Sequence, residues 1–98
     1  MRNSLIDIFD SFYFIGIGGV SMSGLAKYLK IKGKKVAGSD LFSSVYTDEL
    51  SGCGIPVNVG EEAGSIKDFE VIVYTDAIPA GNIQLKEAQK LDKIILSR

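Results

Sequence analysis

The feature that most constrains this chain is a change of character between Phe12 and Gly24, which reads Phe-Tyr-Phe-Ile-Gly-Ile-Gly-Gly-Val-Ser-Met-Ser-Gly. An aromatic and β-branched run, Phe12 to Ile17, passes directly into glycines at 16, 18 and 19. Those glycines open onto apolar residues at helical spacing, Met22, Leu25, Ala26 and Leu29. The pattern predicts a buried strand, a tight turn and a helix. Amides at a helix start point outward unsatisfied, and the peptide dipoles add partial positive charge there. A turn without Cβ atoms lets a phosphate approach the backbone. A phosphate-bearing ligand is the first expectation; the alternative is a turn that serves only close strand–helix packing.

The third glycine of the dinucleotide pattern is Ser21 here, so the turn alone is weak and its context decides. Gly33 is a good helix stop, with Lys27, Lys30 and Lys32 towards the negative end and Lys34 and Lys35 extending a basic, solvated cluster. A second strand, Lys35 to Ser39, leads through a Gly38-Ser39-Asp40 turn to an acid 22 residues beyond Gly18. That is near the offset at which a carboxylate reaches a ribose hydroxyl.

The remaining elements follow in order. Residues 1–11 are a lead-in with a short amphipathic turn, and 12–98 form one domain, long enough to bury about 60–65% of its unfolded surface. Leu41 to Tyr46 reads as loop, with Thr47 an N-cap, or an early hydroxyl on the ligand side, for a short helix. Ile55 to Val59 is a third strand containing Pro56, and Glu61 to Ser65 a loop or single turn. Phe69 to Thr75 is a fourth strand, Asn82 starts a helix through Leu85, Ala88 and Leu91, and Lys93 to Leu96 is a fifth strand.

Near-continuous apolar strands separated by helices predict an α/β fold: a Rossmann-like parallel five-stranded sheet, order 3-2-1-4-5, with helices on both faces. In that order Gly16 to Met22, Ser39-Asp40 and Thr75 to Ile78 converge at the carboxyl edge of the sheet. With 11 basic and 12 acidic residues there is no electrostatic case for nucleic acid or a membrane. No apolar run approaches membrane-spanning length and no signal peptide is evident, so the expected compartment is cytoplasmic. Histidine is absent, and the single cysteine, Cys53, reads as a small, partly buried apolar residue, not a nucleophile. No metal site is expected.

Three spaced motifs in this order resemble the Mur ligases of peptidoglycan synthesis, in particular the branch that joins L-alanine to UDP-N-acetylmuramate. They are Ile15 to Ala26, Gly38-Ser39-Asp40 with Thr47 and Leu50, and Tyr74-Thr75-Asp76-Ala77-Ile78 with Asn82. Arg98 matches an arginine after the fifth strand. The resemblance implies a domain that binds the UDP part of UDP-N-acetylmuramate. Gly16, Gly18, Gly19, Val20, Ser21 and Met22 would meet the pyrophosphate, and Ser39 and Asp40 the uridine end. Thr47, Thr75, Ala77, Ile78, Asn82 and Arg98 complete the implied site. Four positions depart from the family pattern: Ser21 for glycine, Thr75-Asp76 for a Ser-Ser pair, Gly60-Glu61 for Gly-His, and Asn82-Ile83-Gln84 for Asn-Pro-Glu. Ser21 can cap the helix or donate to a phosphate. Asp76 and Glu61 oppose a diphosphate unless they point away or meet a cation.

The family reaction activates a carboxylate with ATP and Mg²⁺, which needs a Gly-x-x-x-x-Gly-Lys-Ser/Thr loop that these residues lack. The expectation is therefore a substrate-binding domain that does not catalyse alone and itself binds no cofactor. Its partners would be the ATP-binding and C-terminal domains of a larger ligase. Two other readings stay open: an NAD(H)-binding sensory or dehydrogenase domain, and a structural domain that has lost its nucleotide site.

Overall fold

The computed structural model describes residues 5–60 and 64–98. The aromatic run forms β1 (Ser11–Ile15), buried along its whole length. Alternate side chains of a strand leave on opposite faces. Phe12 and Phe14 therefore pack with Met22, Ala26 and Leu29, while Tyr13 and Ile15 pack with Ile72, Leu85 and Ala88. Each such aromatic or aliphatic side chain contributes about 1.5–3 kcal/mol by leaving water. A central strand buried on both faces explains why the run reads as continuous apolar sequence.

The chain then runs α2 (Val20–Ile31), β2 (Lys35–Asp40), α3 (Val45–Gly52), β3 (Val57–Val59), β4 (Val71–Tyr74), α4 (Ile83–Lys90) and β5 (Ile94–Ser97), with a four-residue α1 (Leu5–Ile8) before β1. All pairings are parallel and the sheet order is β3-β2-β1-β4-β5. The packing of α2 and α3 on one face and α4 on the other completes the expected three layers. Among the described residues no helix is long and apolar enough to cross a membrane.

Boundaries differ from the sequence reading where local geometry intervenes. β1 stops at Ile15 because Gly16 takes a left-handed φ of 86°, which turns Ile17 out of the strand and into the core. The stop of α2 is the expected one. Gly33 has φ 86°, Lys34 N–H donates to the Leu29 carbonyl and Gly33 N–H to that of Lys30, a Schellman closure.

Four local readings are corrected. Gly38-Ser39-Asp40 is not a turn but the end of β2, paired with β1 through Ser39 and with β3 through Asp40. The cap of α3 is Ser44, not Thr47. The Ser44 hydroxyl accepts from Thr47 N–H (3.3 Å) and the Thr47 hydroxyl from Ser44 N–H (2.7 Å), a reciprocal box that starts the helix at Val45. Pro56 lies just outside a three-residue β3, where its carbonyl still accepts from Gly38 N–H. Cys53 is exposed at the end of α3, not partly buried.

Candidate functional site

A cleft of about 470 Å³ opens at the carboxyl ends of β1, β2 and β4. Its lining brings together eight of the residues expected there: Gly16, Gly19, Ser39, Asp40, Thr75, Ala77, Ile78 and Asn82. The reason is topological. The strand order reverses beside β1, so the loops after β1 and β4 diverge to opposite sides and leave a crevice between them.

Most amides of the glycine turn are already satisfied within the protein. Gly16 and Ile17 N–H both donate to the Ser39 carbonyl at 2.9 Å, and Gly19 N–H donates to the Gly16 carbonyl at 3.3 Å. Gly18 N–H donates to Asp40 Oδ2 at 2.8 Å. The first helical bond of α2 runs from Ser23 N–H to Gly19 O. That leaves the amides of Val20, Ser21 and Met22 without an acceptor among the described residues, and the N-cap, Gly19, has no side chain to supply one. The donors available to an anion therefore begin at Val20, not at Gly18.

Gly18 and Asp40 serve the turn itself. A Cβ built on Gly18 would meet Asp40 Oδ2 at 2.7 Å and Thr47 Cγ2 at 3.0 Å, so Gly18 is small to admit the carboxylate and α3. Asp40 holds the turn through Oδ2, and the residue also lines the cleft. An acid at this offset is legible as a ribose partner; its bond back to Gly18 is not.

Arg98 stands at the same end of α2. Its backbone N–H extends the β4–β5 ladder to the Tyr74 carbonyl, and its Nε donates to Ser21 Oγ at 2.8 Å. The guanidinium is thus tied to the first turn of a helix whose amides are free, with its terminal nitrogens still available as donors. The Ser21 hydroxyl does not cap the helix; it receives Arg98. Val20 is exposed and Met22 is buried in the core, so each presents its backbone amide rather than its side chain to an anion.

The third motif builds the opposite wall. Thr75 Oγ1 accepts from Ala77 N–H (3.2 Å) and the Thr75 carbonyl from Ile78 N–H (3.0 Å), folding a compact turn under Gly16. Asn82 caps α4 by accepting from Leu85 N–H at 3.0 Å, which leaves its amide nitrogen free. Asp76 is exposed and receives the Ser97 hydroxyl at 3.4 Å, turned towards β5 and outside the cleft lining. Glu61, the other acid flagged by the sequence, lies outside the described residues. Thr47 is buried with its hydroxyl spent on Ser44, and only its methyl faces the glycine turn. Among the described residues no group of three or more His, Cys, Asp or Glu could hold a metal ion.

Sequence reasoning missed Ile15, Leu41, Phe42, Gly60, Ile83 and Gln84 in the lining. Phe42 and Ile83 are 76% and 75% exposed at the rim, a solvent-facing apolar placement that the loop residues themselves do not signal. Gln84 is 3% exposed and hydrogen-bonded on every side. The available signals were its place beside Leu85 on the buried face of α4 and its departure, at Asn82-Ile83-Gln84, from the family's Asn-Pro-Glu.

Comparison with known proteins agrees with this geometry. A family model described as Mur ligase family, catalytic domain, matches residues 11–98. A UDP-N-acetylmuramate–L-alanine ligase of Lachnospira eligens is 51% identical over 87 residues, covering 88% of this chain and 19% of that protein. One from Clostridium perfringens is 43% identical over 94 residues, covering 96% and 21%. The crystal structure of the UDP-N-acetylmuramate–alanine ligase of Thermotoga maritima superposes with a TM-score of 0.85 at 30% identity, over 90% of this chain and 20% of that one. The chain therefore spans about a fifth of the length of the relatives it matches.

Proposed function

The chain belongs to the Mur ligase family, and from that premise we propose that its cleft binds the UDP portion of UDP-N-acetylmuramate, as the substrate-binding part of an ATP-dependent, cytoplasmic ligase that adds L-alanine in peptidoglycan synthesis. One observation carries this reading. The first turn of α2 offers three unbonded amides, and Arg98 is fixed on that same turn through Ser21. Donors and positive charge coincide at the start of α2, next in sequence to Gly19, which lines a cleft sized for a nucleotide.

The diphosphate lies across the amides of Val20, Ser21 and Met22 with Arg98 beside it, and the nucleoside lies over Ser39 and Asp40. The residues of this chain do not fit ATP and Mg²⁺, because they contain no glycine-lysine phosphate loop and, among those described, no metal-holding cluster. In this reading carboxylate activation belongs to the ATP-binding and C-terminal domains of the longer ligase. This chain's part is to bind and orient.

Arg98→Ala tests the carrying observation. It should weaken UDP and inorganic pyrophosphate by about tenfold at low salt, the lower end for a charge-assisted hydrogen bond at an exposed site, and by less as salt rises. Uridine, which has no phosphate, should be unaffected. UDP affinity unchanged in Arg98→Ala at low salt would remove the guanidinium from the site.

A further inference from the structure

Gln84, Ser39, Tyr13 and Gly64 form a closed set of hydrogen bonds under the cleft, and its logic fixes the direction of each. The Gln84 amide nitrogen lies 3.0 Å from the Gly64 carbonyl and 2.8 Å from the Tyr13 hydroxyl. A carbonyl oxygen can only accept, so the group facing Gly64 is the NH₂ and the amide cannot be turned over. Gln84 Oε1 is then the atom 2.8 Å from Ser39 Oγ. Oε1 carries no hydrogen, so Ser39 must donate its single hydroxyl proton to it. What Ser39 has left is lone pairs.

We propose that Gln84 locks Ser39 Oγ as an acceptor towards the cleft, so that the ligand group docked on Ser39 is a hydrogen-bond donor, a ribose hydroxyl or an imide N–H, and never a phosphoryl oxygen. The proposal rests on the uridine nucleotide reading above and adds a polarity to it. Asp40, an acceptor-only carboxylate when ionised, lines the cleft beside Ser39. The two make one end of the cleft an acceptor end. The amides of Val20 to Met22 and the Arg98 guanidinium make the α2 end a donor end. A nucleotide can enter in one direction only, phosphates towards α2 and donors towards β2. Gln84 acts here as a positioning residue, working through Ser39 without touching the ligand's phosphates.

The same lock reaches the glycine turn. The Ser39 carbonyl accepts from both Gly16 and Ile17, so the residue whose hydroxyl Gln84 orients also holds the start of the phosphate turn. A glutamate at 84 could receive Ser39 but could not donate to Gly64. The neutral amide satisfies both.

Titrations of the parent and Ser39→Ala with UDP, 2′-deoxy-UDP, 3′-deoxy-UDP, N3-methyl-UDP and inorganic pyrophosphate test this. Ser39→Ala should lower UDP affinity about five- to tenfold, the scale of one hydrogen bond, and leave pyrophosphate unchanged. The analogue lacking the docked donor should bind the parent weakly and lose nothing further in Ser39→Ala. Which analogue behaves so separates hydroxyl from imide. Equal losses for UDP and all three analogues, or a loss for pyrophosphate matching that for UDP, would overturn the proposal. A ligand-free readout stands beside it: NOEs from the Gln84 side-chain NH₂ should reach the Tyr13 ring and Gly64. NOEs from that NH₂ to the Ser39 β-protons instead would also overturn it. Failure of the parent to bind UDP at all would count against the function, whereas the amide orientation decides the polarity either way.

Discussion

Alanine at position 38 is expected to cost the fold about 3 kcal/mol, the upper part of the range for overpacking a tight core. Gly38 is paired with Phe14 in the central ladder, and a Cβ there would lie 2.6 Å from both the Phe14 carbonyl oxygen and Ile17 Cδ1. The first is backbone held in the sheet, and the second belongs to a fully buried side chain. Neither can yield without moving β1 against β2. For a chain of this size the loss corresponds to a fall of roughly 12–24 °C in Tm. Gly33→Ala is the control: its φ of 86° is strained for alanine, but a Cβ there meets nothing within 4 Å. It should cost only about 1 kcal/mol. Thermal unfolding followed by circular dichroism compares the two, and a Gly38→Ala chain as stable as Gly33→Ala would contradict the packing described.

Valine at position 18 should lower UDP affinity by more than tenfold, and by the same factor for pyrophosphate. The reason is not occlusion of the phosphate. The new side chain drives the Asp40 carboxylate off Gly18 N–H and presses on Thr47, so the turn that aims the α2 amides is released. Two companions separate this cause from simple bulk. Asp40→Ala removes the same bond without adding atoms, and should reproduce most of the loss for pyrophosphate. Asp40→Asn keeps an acceptor oxygen for Gly18 and should retain pyrophosphate binding within about threefold, a loss below one ordinary hydrogen bond. Parent-like pyrophosphate binding by Asp40→Ala would show that the turn needs no carboxylate.

Much of this molecule is legible in its residues because pattern and physics agree there. The buried Phe12 to Ile15, the glycine turn and the stop at Gly33 each demand one backbone course, and right-handed crossovers then leave the order β3-β2-β1-β4-β5. The gathering of Gly16, Ser39, Thr75 and Ile78 at one cleft follows from that order alone. What could not be read is which partner each polar group takes. Whether Asp40 faces a ligand or Gly18, and whether Ser44 or Thr47 caps α3, depends on differences of an ångström or so that composition and spacing do not encode. Gln84 shows the limit most plainly, since its role comes from Tyr13, Ser39 and Gly64, residues far from it in sequence.

The central claim is that this cleft takes a uridine diphosphate ligand phosphate-first onto the start of α2. Calorimetric titration of the chain with UDP-N-acetylmuramate, UDP and NADH, side by side, tests it most directly. The account predicts saturable binding of both uridine ligands, displaced by pyrophosphate, with NADH binding more weakly than either. NADH binding more tightly than UDP, or no binding of either uridine ligand to a chain shown to be folded, would contradict it.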